Sequence, residues 1–371
     1  MILHVSDCFA PRTGGIETQV AALARAQQRS GRSVAVATAT PAAPGTPEEH
    51  WPYPVHRLSA RIPGQLPVHP RAGRELDRLL TAVRPKVVHT HLGAFSPFAW
   101  SALACAGRLG IPTVATVHSL WDPVVRATYR GLSRTGHAPT APMVVTAVSR
   151  SAARTVRQAL PDVAPLVVPN GIDPTWWLPH PRAEPREDRL HVVSVGRLVP
   201  RKEPMELLEA LRTAQPRLAG RGVALTATCV GTGPCLPAMR RYLDRHGMTG
   251  WVRLAGHRNP EGVRELLAGA DLFVNSSCRE SFGIAALEAR TSGLPVLARA
   301  RTGVADFVRG GREGSLCDHS TFALADELVW LGRTPRARHA MAVHNRETVA
   351  EHCTWPSVVE AFAHAYAEAV R

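Results

Sequence analysis

Ala270-Asp271-Leu272-Phe273-Val274-Asn275 leads through a short polar turn into Arg279-Glu280-Ser281-Phe282-Gly283-Ile284-Ala285-Ala286-Leu287-Glu288-Ala289. The first segment reads as a buried strand, a short apolar run bounded by turn residues. After the second, Gly293-Leu294-Pro295-Val296-Leu297 reads as a turn into another strand. Glu280 then lies in a strand-to-helix loop, and Glu288 is expected about two helical turns further on. A helix start offers free N–H groups and a partial positive charge, which suits a diphosphate. A carboxylate on either side can accept hydrogen bonds from sugar hydroxyls attached to it. Read plainly, the same residues are a helix capped by Glu280 and Ser281 with a solvated Glu288. The stretch alone leaves both readings open.

Working outward, the same unit repeats. Strands are expected at Ile2–Ser6, Val34–Thr38, Val55–Leu58, Val87–His91, Thr113–His118 and Met143–Val148, with helices between. The helix Ile16–Ser30 puts Ile16, Val20, Leu23 and Ala24 on one face, Gly31 ends it, and Thr13-Gly14-Gly15 is the tight loop before it. Residues 41–54 are proline-rich and read as an irregular loop. A second series begins at His191–Gly196, with strands near Ala224–Val230, Val252–Ala255, Leu272–Asn275 and Pro295–Ala298. Between the series, residues 179–189 are polar and rich in proline, so a domain boundary falls near them. The fold class is α/β, with two doubly wound parallel sheets in tandem. Domains are expected at 1–170 and 171–354. The closing segment carries an apolar helical stripe of Trp355, Val358, Val359, Phe362, Tyr366 and Val370 that needs a partner surface.

A chain of 371 residues suits two domains of ordinary size. Its start lacks the basic region and apolar core of a signal peptide, and no apolar run approaches a membrane span. Seven cysteines without a Cys-x-x-Cys argue against a disulfide framework or a structural zinc. The expected location is cytoplasmic. The net charge of +14 is carried almost wholly by arginine, scattered among acidic residues with no dense basic run. That argues against nucleic acid but leaves peripheral contact with an anionic membrane open. The only lysines are Lys86 and Lys202.

Lys202 stands in Val195-Gly196-Arg197-Leu198-Val199-Pro200-Arg201-Lys202-Glu203-Pro204, which joins a strand to a helix. Arg197 leaves the carboxyl end of the strand, where open α/β sheets bind ligands. A guanidinium and an ammonium converging there can hold a diphosphate and stabilise it as a leaving group. Arg201 competes with Lys202 for that role. Gly14-Gly15 is not a dinucleotide fingerprint, which weakens a dehydrogenase reading.

The Glu280/Glu288 spacing and the Gly196-Arg197 to Lys202 spacing resemble the Glu-x7-Glu and Gly-Arg-x4-Lys motifs of the retaining family 4 glycosyltransferases, and the resemblance covers nearly the whole chain. It implies the GT-B fold: two Rossmann-like domains facing a central cleft, with the helix over 355–371 crossing back to the N-terminal domain. The N-terminal domain would bind the acceptor and the C-terminal domain the nucleotide-sugar donor. By resemblance, Arg197 and Lys202 bind the donor diphosphate, Glu280 the sugar hydroxyls and Glu288 the ribose. The backbone from Ser281 and Phe282 through Gly283 to Ile284 supports them. Gly231 and Arg258 lie in loops around the base. Gly15 touches the donor phosphate, Gly14 the acceptor, and His118 faces the donor sugar and the acceptor, with His91 and then His89 behind it in rank. No Asp-x-Asp occurs, so no metal is expected, and no cofactor beyond the nucleotide-sugar co-substrate. The partners are a nucleotide-sugar donor and a hydroxyl-bearing small-molecule or lipid acceptor.

The chain departs from the family pattern after Pro295. Thr302-Gly303-Val304-Ala305-Asp306 replaces a double glycine, with Arg299 and Arg301 just before it. A solvated loop is the expectation for those arginines, an anionic acceptor site the alternative. The reading is hexose transfer with retention, in which the departing phosphate deprotonates the acceptor. A nucleotide-sugar epimerase or hydrolase and a catalytically silent nucleotide-sugar sensor are the alternatives.

Overall fold

The computed structural model describes residues 1–12, 14–43, 50–59, 69–134, 143–178 and 187–371. Thr13 of the glycine loop and parts of the two proline-rich segments (44–49 and 179–186) lie outside the described residues. The chain divides into two compact units, Met1–Gly171 with His352–Arg371, and Ile172–Glu351.

The first unit holds strands β1 (Ile2–Ser6), β2 (Val34–Thr38), β3 (Val55–Arg57), β4 (Val87–Leu92), β5 (Thr113–Val117), β6 (Met143–Ala147) and β7 (Leu166–Val167). They form one parallel sheet in the order β3-β2-β1-β4-β5-β6-β7. Side chains alternate across it. Leu3, Val5, Ala35, Ala37 and Val88 face Leu76, Leu80 and Phe98 of the helices Ala72–Val83 and Pro97–Arg108. Ile2, Val34, Val36 and Val114 face the helices Gly15–Arg29 and Trp355–Val370 through Val20, Leu23, Val358 and Phe362. The stripe of the last helix is thereby buried at Val358, Val359, Phe362 and Tyr366, while Trp355 is half-buried and Val370 exposed. The helix Pro97–Arg108 is capped from another strand's end. Asp7 accepts the N–H groups of Phe98 and Ala99 at 2.9 and 3.1 Å, satisfying two of the donors a helix start leaves free.

The second unit holds β8 (Arg189–Val195), β9 (Ala224–Val230), β10 (Val252–Gly256), β11 (Leu272–Asn275), β12 (Val296–Arg299) and β13 (Gly314–Cys317). These too are parallel, in the order β10-β9-β8-β11-β12-β13. Leu190, Val192 and Leu225 pack with Leu207, Leu208, Leu211 and Leu328 from the helices Pro204–Ala219 and Thr321–Arg333.

In both sheets the order reverses beside the first strand, between β1 and β4 and between β8 and β11. Open parallel sheets bind ligands beyond the carboxyl ends of the strands at such switch points. Among the described residues no helix is long and apolar enough to cross a membrane.

Candidate functional site

Residues from the ends of β8 and β11 build the site of the second unit. After β8 the chain turns through a 3-10 segment, Pro200–Lys202, into the helix Pro204–Ala219. Glu203 between them holds a left-handed conformation, φ 53°, which ordinary side chains seldom adopt. The loop after β11 holds it there: Glu203 accepts the N–H of Cys278 at 3.1 Å and, through its carbonyl, the hydroxyl of Ser276 at 3.0 Å. Ser277 donates to the carbonyl of Arg201 at 3.0 Å. The two loops are thus sewn together, and that aims Lys202.

Lys202 Nζ donates to Glu280 Oε2 at 2.5 Å. Asn275 Nδ2 donates to the same oxygen at 3.2 Å. Burial pushes the Glu280 carboxyl upward, but the charge and hydrogen bond of Lys202, the Asn275 amide and the N–H of Phe282 outweigh it and hold the group below its usual range. Glu280 is therefore an anion. The Phe282 N–H, expected to face a ligand, is committed to it here.

Arg197 and Arg201 are both exposed, and neither guanidinium has a hydrogen bond or ion pair among the described residues. Desolvation lowers the pKa of Arg201, and the charges of Arg197 and Arg279 lower it further, against the pull of Glu280. Like charges crowded in this way repel one another until an anion arrives.

Gly283 caps the helix Ile284–Thr291 with φ 95°. The helix starts later than the sequence suggests, so Glu288 is its fifth residue, little more than one turn in rather than two. Ile284, Ala285 and Glu288 occupy its half-buried face while Ala286, Leu287, Ala289 and Arg290 are buried. The Glu288 carboxyl has no hydrogen bond or ion pair among the described residues, and burial pushes its pKa up to about 8. It is a proton-bearing carboxyl beside a helix start.

Close backbone packing fixes the walls. A Cβ on Gly231 would stand 1.9 Å from the carbonyl oxygen of Gly196, and one on Gly303 would stand 2.1 Å from that of Ser281. Gly303 also donates its N–H to the carbonyl of Glu280 at 3.0 Å. The single glycine left from the expected pair is the one this contact requires. Arg258 is exposed and donates to the carbonyl of its neighbour His257 at 3.3 Å, and among the described residues no hydrogen bond or ion pair joins it to the Lys202–Glu280 group. Arg299 is not in a solvated loop. It is 1% exposed and donates to the carbonyls of Ser276, Asp318 and Ser320 at 3.0, 2.8 and 2.6 Å. It is a clasp behind the β11 loop and cannot meet an acceptor.

In the first unit, His118 follows β5 and lines a small cavity with His91, Thr116, Gln19, Asn170 and Trp355. His91, expected at the acceptor, has both ring nitrogens committed: Nε2 lies 3.0 Å from His4 Nδ1 and Nδ1 lies 3.0 Å from His118 Nε2. His89 is fully buried between the Tyr366 and Thr116 hydroxyls. Gly14 and Gly15 open the first helix, and among the described residues no hydrogen bond joins them to His118. His4, His89 and His91 have ligand-type atoms within 4.8 Å of one another, but every ring nitrogen among them is already hydrogen-bonded, so this donor set does not fit a metal without breaking its own network. Asn275, Glu203, His4 and Gln27 were not singled out as functional residues by the sequence, and Tyr366 only as part of the last helix's apolar stripe. Only the parallel register of β1 on β4, which pairs His4 with His89 and Ser6 with His91, could have found His4.

Comparison with known proteins agrees with this architecture. The model described as Glycosyltransferase Family 4 matches residues 13–176, and that of Glycosyl transferases group 1 matches 189–334. D-inositol 3-phosphate glycosyltransferase of Actinosynnema mirum is 29% identical over 410 residues, covering 99% of this chain and 96% of its own. Glycogen synthase of Mycobacterium tuberculosis is 30% identical over 312 residues, covering 81% and 73%. Among solved structures, sucrose-phosphate synthase from Thermosynechococcus elongatus superposes with a TM-score of 0.78 at 20% identity, over 99% of this chain and 98% of that one.

Proposed function

We propose, for a chain that belongs to glycosyltransferase family 4 and has the two Rossmann-like sheets of the GT-B fold, that it moves a hexose from a nucleotide diphosphate sugar to a hydroxyl acceptor with retention and without a metal. The observation that carries this is the cationic group at the β8/β11 switch point: Lys202 held on Glu280, with Arg197, Arg201 and Arg279 crowding the same ground. A diphosphate would relieve that crowding. Lys202 and Arg197 take its oxygens and neutralise the charge that grows as it leaves, the work a metal does elsewhere. Arg201 lies close enough to share it.

Glu280, kept ionised, accepts hydroxyls of the transferred sugar. Glu288 accepts the ribose hydroxyls. The free N–H groups at the start of the helix Ile284–Thr291 add a partial positive charge. With Glu280 held by Lys202 and Asn275 and Glu288 assigned to the ribose, neither carboxylate of the motif is left to attack the sugar, which favours front-face substitution. In that step the acceptor oxygen bonds to the anomeric carbon as the bond to the diphosphate breaks, and the diphosphate takes the acceptor's proton. The acceptor is a hydroxyl-bearing small molecule or lipid, docked on the first unit near His118 and Gly14-Gly15, and no further cofactor is needed.

Steady-state kinetics of Lys202→Ala tests this. Turnover should fall roughly 100-fold or more, as when one preorganised electrostatic donor is removed, while the thermal midpoint stays near that of the wild type. Near-normal turnover in the folded variant would sink the assignment.

A further inference from the structure

Four buried or half-buried histidines, one glutamine and one tyrosine of the first unit form a continuous hydrogen-bonded chain, and its donors can be worked out one by one. Gln27 is the start because an amide has a fixed donor end and a fixed acceptor end. Its Nε2 donates to the Tyr366 hydroxyl at 2.8 Å, and its Oε1 lies 2.7 Å from His4 Nε2. A carbonyl oxygen only accepts, so His4 carries its proton on Nε2 and is bare at Nδ1. His91 Nε2, 3.0 Å from that bare nitrogen, must donate to it. A neutral His91 is then bare at Nδ1, and His118 Nε2, 3.0 Å away, must donate to that in turn. The other branch closes consistently. Tyr366 accepts from Gln27 and so donates to His89 Nδ1 at 2.8 Å, and His89 Nε2 donates to Thr116 Oγ1 at 2.7 Å. Thr116 then donates to Thr146 at 2.6 Å.

The argument requires neutral rings, and burial supplies them. Desolvation lowers His4 and His118 to about 4, and lowers His89 and His91 well below their usual value.

We propose that Gln27, acting through His4 and His91 as positioning residues, fixes His118 as the Nε2–H tautomer, so that His118 offers Nδ1 to the cavity as a hydrogen-bond acceptor for a ligand hydroxyl. His118 Nδ1 has no hydrogen-bond partner among the described residues, and the ring lines the cavity. A bare imidazole nitrogen takes an O–H or N–H donor and turns away a carbonyl or phosphate oxygen, which can only accept. On the transferase reading that donor is an alcohol, either a hydroxyl of the transferred sugar or one of the acceptor. The hydroxyl's role rests on the transferase reading; the proton order does not.

Turning the Gln27 amide over would reverse every donor in both branches and place the proton on His118 Nδ1. Nitrogen-15 NMR of the histidine-labelled full-length protein at pH 7 separates the two arrangements, because protonated and bare ring nitrogens differ widely in chemical shift. Loss of one ring's signals in His118→Gln assigns that residue. The expected spectrum shows His118 bare at Nδ1 and protonated at Nε2 in the unmodified protein. A proton on Nδ1, or an even mixture, overturns the proposal. Gln27→Met should then convert His118 to a mixture of tautomers, and an unchanged single tautomer in that variant overturns the role of Gln27. On the transferase reading the same variant loses about tenfold in kcat, the scale of one hydrogen bond to a hydroxyl of the bound sugar or acceptor. A shifted tautomer with unchanged kcat supports the relay and counts against His118 at such a hydroxyl, so the two failures are told apart.

Discussion

On the proposed ribose role of Glu288, donor binding should release a proton. Its carboxyl is pushed up to about 8 by burial, with no ion pair to it among the described residues. At pH 7, one unit lower, roughly nine in ten molecules carry the proton. Ribose hydroxyls that donate to the carboxylate favour its ionised form, so the bound state has the lower pKa and the free state binds the proton more tightly. Raising the pH therefore favours the complex. Affinity for a nucleotide sugar should rise about tenfold per unit from pH 6 towards 8 and level off above it. Binding at pH 7 should release about 0.9 proton on the same relation. Isothermal titration in two buffers of different ionisation enthalpy reads that number directly. The sugar-linked diphosphate does not titrate in this range, and Glu288→Gln is the control, since it should bind more weakly with no pH trend. The unliganded protein supplies a second sign. A carboxyl raised from 4.5 to about 8 favours the folded state most at low pH, and that contribution is lost as pH rises through this window. Glu288→Gln should lack the decline. No proton release from the wild type at pH 7, with the variant showing the same pH profile, would refute the reasoning.

Glu280→Gln should lower kcat more than it raises the donor KM, and Glu288→Gln the reverse, because Glu280 is assigned the reacting sugar and Glu288 the ribose; steady-state kinetics of the two variants decides it. Gly303→Ala forces a Cβ against the Ser281 carbonyl and should destabilise the protein by about 1–3 kcal/mol while weakening donor binding, as measured by denaturant unfolding and titration. Arg299→Met removes a buried cation's bonds to three carbonyls and should lower stability by about 3 kcal/mol or more, and a variant as stable as the wild type would contradict the clasp.

Much of the architecture was legible because strand and helix alternate with clean apolar runs, and β1, β2, β9 and β11 stand where the sequence put them. The two strands it omitted carry little signal. β7 is two exposed residues, Leu166 and Val167, and β13 is Gly-Ser-Leu-Cys; each forms because a neighbouring edge is available to pair with. Arg299 misled for a different reason. An arginine after a strand ordinarily reaches water, and only tertiary structure brings three carbonyls around it. The Lys202–Glu280 contact lay beyond the sequence because it spans 78 residues and depends on the seam between two loops. Asn275 read simply as the end of a strand, although that end is what aims its amide at Glu280. The histidine chain was half visible. Alternation puts His89 and His91 on one face of β4, but Gln27 and Tyr366 reach them from helices whose packing no local pattern reports.

The most direct test of the central claim is a thermal-shift measurement with UDP-, GDP- and ADP-sugars in EDTA, on the wild type, Lys202→Ala and Arg197→Ala. Ligand at about 100 times its Kd adds roughly 2.7 kcal/mol to the native state, which should raise the wild-type midpoint by several degrees with at least one donor. Both variants, folded at their own unliganded midpoints, should lose most of that rise. A wild type that responds to no nucleotide sugar until a divalent metal is added, or variants that respond as fully as the wild type, would contradict the cationic cluster as the metal-free diphosphate site.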